Sequence, residues 1–126
     1  MTPLGARLRK MRADRGISLK EMAKALNVSS AYLSALEHGK RGKPTWYMVQ
    51  RIIAYFNVIW DEAEELQRLA EVSDPRITID TGGLEPEATE LANRLAAEIA
   101  RLQPDDLVFL KNEVMRRAGG RGRPPG

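Results

Sequence analysis

The chain has 126 residues and a net charge of +3, a length that allows one compact domain with an appendage but no separate ligand-sensing domain of usual size. It contains no cysteine, which excludes disulfides and thiolate metal sites and favours a cytoplasmic protein. No apolar run has the length of a signal peptide or a transmembrane span, so we expect no membrane partner.

Charge is divided sharply along the chain. Residues 1–60 carry 11 basic against 3 acidic side chains, residues 61–118 carry 7 against 14, and residues 119–126 carry 2 against none. The N-terminal half therefore has the charge to bind a polyanion.

The first two predicted helices supply one side of a core. Helix one contributes three apolar residues to it: Leu4, Leu8 and Met11. Helix two begins at Ser18, which forms a capping box with Glu21. Its apolar face consists of Met22, Ala23 and Leu26. Asn27 ends it, because asparagine tolerates the left-handed conformation that turns the chain sharply.

A third predicted helix follows after a turn too tight for an ordinary loop. Ser29 caps this helix, Leu33 and Leu36 point inward, and Val28 fills the corner. The residues that remain outward are small: Ser30, Ala31, Ser34 and Ala35. Because such a face can approach DNA closely, the pattern predicts a DNA-binding helix-turn-helix.

The fourth and fifth predicted helices complete this core. Apolar residues at three- and four-residue spacing predict a buried face on helix four, made of Trp46, Val49, Ile52, Ile53 and Phe56. Its other faces offer Tyr47, Gln50 and Arg51 for contact with phosphate. Helix five begins near Asp61, is acidic outside, and keeps an apolar stripe of Ala63, Leu66, Leu69 and Ala70.

Residues 76–81 give the only strand signal in the sequence. Asp74 and Pro75 end helix five, and Ile77 and Ile79 then alternate with polar residues. A single strand leaves its backbone donors and acceptors unsatisfied, and the chain offers no second strand. Two interpretations are open: pairing with the same strand of a second copy, or an unpaired surface linker.

The C-terminal part predicts a helical hairpin. One helix covers residues 86–102, Pro104 breaks it, and a helix capped by Asp105 covers residues 105–117. Apolar residues recur at helical steps in both: Leu84, Ala88, Leu91, Leu95, Ile99 and Leu102, then Leu107, Val108, Leu110 and Val114. Such a hairpin has little core of its own, so we expect it to pack on helix five or on a second protomer.

The helix-turn-helix resembles the phage repressor and Cro-like family of transcriptional regulators, also called the XRE family. The resemblance is carried by Val28-Ser29, Tyr32-Leu33-Ser34, Leu36-Glu37, Gly39-Lys40-Arg41 and Pro44. It implies an all-α, five-helix domain like that of lambda repressor, whose third helix enters the major groove. The implied helices cover about residues 3–15, 18–26, 29–38 and 45–56, with a fifth from about residue 61. A buried structural ion pair of Arg12 with Glu37 is also implied.

The resemblance assigns the DNA contacts to helix three and its flanks. Base reading falls to Ser30, Ala31, Tyr32, Ser34 and Ala35. Many members carry glutamine or arginine at these outward positions, so fewer hydrogen bonds to bases are available here, although alanine can contact a thymine methyl. The predicted phosphate contacts are Arg7, Arg9, Lys10, Ser29, His38, Lys40, Arg41 and Lys43. For His38, an equally good interpretation is a helix C-terminal residue favoured by the helix dipole.

The basic tail at residues 119–126 resembles the AT-hook core, which implies that Arg121 and Arg123 enter a minor groove. The alternative is a disordered end. Nothing indicates an enzyme, because there is one histidine, no cysteine and no phosphate-binding glycine loop. We therefore expect no catalytic residues, no cofactor and no metal site.

These features predict three segments: a helix-turn-helix domain in residues 1–73, a strand with a helical hairpin for dimerisation or partner binding in residues 74–118, and a flexible tail in residues 119–126. The expected function is a bacterial or phage transcriptional regulator that binds operator DNA as a homodimer through helix three. The alternative is an antitoxin-like protein, whose C-terminal half neutralises a partner protein such as a toxin while its DNA binding is autoregulatory. RNA polymerase is a further candidate partner.

Overall fold

The structure, a computed structural model, describes residues 1–119 and is all-α over that range. Its helices are α1 (Pro3–Arg15), α2 (Leu19–Ala25), α3 (Ser30–Glu37), α4 (Trp46–Phe56), α5 (Trp60–Glu71), α6 (Pro86–Glu98) and α7 (Pro104–Gly119), with a 3₁₀ turn at Ile99–Arg101. The first five lie within about one residue of the predicted bounds. Arg121 and Arg123, which are predicted to enter a minor groove, lie outside the described residues.

The chain divides into two compact units. The first is Met1–Thr78, and the second runs from Ile79 onward. The boundary therefore falls inside the predicted strand, whereas the sequence indicates a boundary after Ser73. The helices predicted to bind DNA and their core all belong to the first unit.

Each of the first four helices begins at a hydroxyl side chain that accepts a backbone N–H of the first turn. The pairs, at 3.0 to 3.1 Å, are Thr2 with Gly5, Ser18 with Glu21, Ser29 with Tyr32, and Thr45 with Met48. These caps fix where the helices start. At Ser18, only this half of the predicted capping box is present within the described residues, because the Glu21 carboxylate makes no return bond.

One apolar core joins α1 to α5. Its most deeply buried members come from all five helices: Leu4, Leu8, Met22, Leu33, Ile52 and Leu66. The Leu4 N–H also donates to the Ser73 hydroxyl at 3.0 Å, which ties the start of α1 to the chain just beyond α5. α5 therefore closes the unit that holds α2 and α3.

The predicted buried face of α4 is wrong at one position. Val49, Ile52 and Phe56 are buried and Ile53 is half-buried, but Trp46 is 74% exposed. Trp46 is the first residue of α4. A helical side chain covers the turn on the N-terminal side of its own Cα, and at this position no such turn exists to hold Trp46 against the core.

After α5, the cap of the last helix differs from its prediction. Residues 76–81 are unpaired within the described residues, which contain no second strand, so pairing with a second copy stays a prediction. Neither α6 nor α7 has a buried residue, and of the predicted apolar stripes Ala88, Leu95 and Leu102 are half-buried while the others are exposed in the single chain. Pro104 begins α7, because the first helical position needs no backbone N–H, and Asp106 rather than Asp105 accepts the Gln103 N–H, at 3.0 Å.

Candidate nucleic-acid interface

α2 and α3 form the helix-turn-helix, and local contacts fix the turn between them. Asn27 has a φ of 57°, the left-handed conformation expected at this turn. The Val28 N–H donates to the Ala23 carbonyl at 3.0 Å, and the Val28 side chain packs against the core. The Ser29 hydroxyl then caps α3 by accepting the Tyr32 N–H. These contacts hold α3 in one orientation on α2.

α3 is anchored on one face and open on the other. Its buried residues are Leu33, Leu36 and Glu37. Ala31 and Ala35 lie opposite Leu33, because successive helical residues turn by about 100°. The accessible side carries four of the five predicted base-reading residues: Ser30 and Ala31, which are exposed, and Ser34 and Ala35, which are half-buried. Their short side chains let the helix come close to base edges.

Tyr32 lies on the flank of α3 and differs from these four. Its ring is half-buried and packs against the core. The Arg41 guanidinium carbon lies 4.8 Å from the ring centroid, a cation–π contact that ties the loop after α3 to this helix. The phenol hydroxyl, and not the ring, is the group that Tyr32 can offer to DNA.

A buried ion pair holds the end of α3 on α1. Arg12 and Glu37 are 8% and 2% exposed and pair through both terminal guanidinium nitrogens, Nη1 with Oε2 and Nη2 with Oε1, the latter at 3.2 Å. The Thr2 N–H donates to the Glu37 carbonyl at 3.0 Å, and Gly5 lies so close to this carbonyl that a Cβ would overlap it. α1 therefore supports α3 from the side away from its open face.

The cations predicted to bind phosphate fall into two groups. Three form ion pairs within the chain: Arg7 with Glu65 at 3.3 Å, Lys10 with Asp14 at 3.6 Å, and Lys43 with Glu71 at 2.9 Å. Within residues 1–119, Arg9, Lys40 and Arg41 have no carboxylate partner. The cations without a carboxylate partner can bind a phosphate directly. The ion-paired cations must first give up their carboxylate in exchange for the phosphate.

Ser29 and His38 make contacts within α3 itself. His38 is the C-cap residue, and its Nδ1 lies 2.9 Å from the Ser34 carbonyl oxygen. This contact favours the interpretation of His38 as a helix-terminal residue. The Ser29 hydroxyl oxygen accepts the Tyr32 N–H, and its own proton is left to donate to a phosphate.

Two further cations, on α2, are candidates for phosphate contact, although their sequence pattern indicates only a solvent-exposed helix face. Lys20 and Lys24 are exposed, and neither pairs with a carboxylate in the described part of the chain. They are one helical turn apart, on the side of α2 away from the buried Met22 and Ala23. Their position in the first helix of the helix-turn-helix is the signal that marks them as candidates.

Two other kinds of site are absent from residues 1–119. No helix there is long and apolar enough to cross a membrane. No group of three or more histidine, aspartate or glutamate side chains is arranged there to hold a metal ion.

Comparisons with known proteins agree with this geometry. The family model described as "Helix-turn-helix domain" matches residues 3–69. RghRB of Bacillus subtilis (strain 168), named as an uncharacterized HTH-type transcriptional regulator, is 33% identical over 61 residues, which cover 48% of this chain and 44% of that protein. The match thus spans less than half the length of this relative. No solved structure matches the chain.

Proposed function

The chain belongs to the helix-turn-helix domain family, and on that premise we propose that it binds operator DNA as a homodimer and thereby regulates transcription. α3 of each protomer enters the major groove of one half-site. Its accessible residues meet the base edges: Ser30, Ala31, Ser34 and Ala35. The protein acts in this way on the DNA of a bacterium or a phage, in the cytoplasm.

The observation that carries this proposal is the face of short side chains on α3, which lies next to cations that have no carboxylate partner within residues 1–119. Lys40 and Arg41 follow α3 directly, and Arg41 is fixed against it by the contact with Tyr32. Phosphate contacts set the orientation of a protein on the duplex, and base contacts set its sequence preference. The chain offers both kinds of contact around one helix.

The homodimer is supported by the weak base discrimination that a single α3 can provide at one half-site. A bidentate side chain that reads one base is worth about 1–3 kcal/mol of discrimination, and the accessible face of α3 has no such side chain. Serine hydroxyls and alanine methyls contribute less. Two half-sites about one turn apart, ~34 Å, on the same side of the duplex let these weak contacts act together.

Selection of bound duplexes from a random pool tests this proposal. The wild-type protein should enrich a two-fold symmetric sequence. Ala31→Glu places a carboxylate at the base edges and should abolish the preference for that sequence. Ala54→Glu, the same change on an exposed position of α4, should retain the preference and serves as the matched control. Enrichment of no sequence, or equal preference in both variants, would contradict the proposal.

A second function is supported by the exposed apolar residues of α6 and α7. They are 58–67% exposed and comprise Leu91, Phe109, Val114 and Met115. Large apolar side chains left exposed on a single chain are candidates for burial in a protein interface. In an antitoxin-like protein, a toxin covers this surface while α3 binds the promoter of the shared operon. A stable complex with the product of an adjacent toxin-sized reading frame would support this function, and a purely homomeric assembly would contradict it.

For an activator, RNA polymerase is the corresponding protein partner. Repression and activation need the same docking of α3, so they differ in the position of the operator. The two can be distinguished by measuring transcription from two promoters. In one, the selected sequence lies upstream of the polymerase site, and in the other it lies within that site.

A further inference from the structure

Residues 76–80 lie outside any helix, in a segment that is held at both ends and unpaired between them within the described residues. Asp74 Oδ1 accepts the N–H of Arg76 at 3.0 Å, and Asp80 Oδ1 accepts the N–H of Gly82 at 2.9 Å. Between these two turns, the described residues provide no backbone hydrogen bond to the segment. Apart from the Arg76 N–H, its donors and acceptors are therefore available to another strand.

The side chains of this segment are also exposed. Ile77 and Ile79 are 71% and 55% exposed. In an extended chain they point to one side, and Arg76, Thr78 and Asp80 point to the other. A β-branched segment with free backbone groups has the composition and the hydrogen-bonding capacity of a pairing strand.

The sequence of the segment is complementary to itself when two copies run antiparallel. With Thr78 opposite Thr78 of the second copy, Arg76 faces Asp80 and Ile77 faces Ile79. Cross-strand pairs of opposite charge and of β-branched side chains are among those that stabilise antiparallel sheets.

Neighbouring registers lose this complementarity. A pair centred on Ile77 places Asp80 opposite Asp74, which is a contact between like charges. A pair centred on Ile79 leaves Arg76 opposite Gly82. The charges therefore favour Thr78 as the centre.

We propose that residues 76–80 of two copies of this chain pair as antiparallel strands about a two-fold axis at Thr78. The inference rests on the homodimer of the proposed function and names its contact segment and register. A two-stranded pair alone is only marginally stable in water. The exposed apolar residues of α6 and α7 in both copies supply further surface for burial in the same dimer, and helices as short as the 13-residue α6 need such packing to persist.

Disulfide trapping of the full-length protein tests the register, because the chain has no cysteine of its own. Thr78→Cys should form a covalent dimer on mild oxidation, since residues directly opposite in an antiparallel pair have Cα atoms about 4.5–5.5 Å apart. Ile77→Cys and Ile79→Cys are matched controls. Each lies diagonally from its own counterpart, at about 7–8 Å, and should stay non-covalent alone. An equimolar mixture of these two variants should form a mixed disulfide.

Charge reversal supplies a second measurement. Arg76→Asp or Asp80→Arg places like charges in both cross-strand pairs, and each should weaken dimerisation roughly tenfold or more in sedimentation equilibrium. A mixture of the two variants restores both opposite-charge pairs in the heterodimer. It should therefore recover the wild-type association.

The outcomes separate this inference from the proposed function. Thr78→Cys cross-linking no faster than Ile77→Cys would overturn the inference, as would a wild-type protein that sediments as a monomer. Cross-linking specific to Thr78 in a protein without preference for any DNA sequence would support the strand pair and contradict the proposed function.

Discussion

Replacing Glu37 by alanine should lower the free energy of unfolding of the DNA-binding unit by about 3 kcal/mol. The Glu37 and Arg12 side chains are 2% and 9% exposed, and Arg12 Nη1 also lies 3.9 Å from the Met22 sulfur. The arginine therefore has almost no water to solvate it once its carboxylate is gone. Removing one partner of a buried pair costs roughly 3–5 kcal/mol, and the slight exposure of Arg12 favours the lower end. At about 4–8 °C per kcal/mol, Tm should fall by roughly 12–24 °C.

Thermal and urea unfolding followed by circular dichroism measure this loss. Glu90→Ala, which removes the exposed 2.7 Å ion pair with Arg94, is the control and should change stability by less than about 0.5 kcal/mol. Replacing both Arg12 and Glu37 by methionine should recover most of the loss, because no buried charge is then left alone. A Glu37→Ala protein that melts at the wild-type temperature would refute the reasoning.

Affinity for the selected duplex should fall with salt, with a log–log slope of about −0.9 per neutralised phosphate. Changing Lys40, Arg41 and Lys43 together to glutamine should flatten the slope, and Lys43 should contribute least because it is paired with Glu71. An unchanged slope in filter binding would place this loop away from the DNA phosphate backbone. A fragment ending at Ser73 keeps the hydroxyl that accepts the Leu4 N–H, so it should stay folded but sediment as a monomer and bind weakly. A dimeric fragment would locate the interface within residues 1–73. Changing Arg121 and Arg123 to alanine should lower affinity for operators with A·T-rich flanks, and equal affinity of variant and wild type would assign the tail no DNA contact.

The helix-turn-helix was predictable from sequence because its signals are local. Ser18 and Ser29 cap helices through bonds to residues three positions along the chain, and Asn27 marks the turn by its own backbone preference. The inward positions of α3 then follow from helical spacing around Leu33. Each of these features is determined within one turn of helix, so a single sequence carries the information.

The remaining features depend on contacts between distant residues. Arg7 pairs with Glu65, which is 58 positions away, whereas Arg9 pairs with no carboxylate within residues 1–119. The local sequence around the two arginines does not indicate this difference. Helical spacing assigned Trp46 to the correct side of α4 but could not indicate that nothing covers the first residue of this helix. The isoleucines of residues 76–81 follow a strand pattern, yet a strand also needs a partner, which the single chain does not contain.

Gly39 marks the point where three parts of the DNA-binding unit meet. Its φ is 81°, and a Cβ there would lie 3.1 Å from Thr2 and 3.2 Å from Pro75. The polypeptide thus leaves this unit beside the C-terminal end of α3. In a dimer paired at Thr78, the two Pro75 residues are six register positions apart, roughly 20 Å. Because the link from Pro75 to the axis at Thr78 is so short, it fixes the distance between the two α3 helices of the dimer. One base pair inserted between the half-sites rotates one of them by about 35° and should abolish simultaneous docking of both helices.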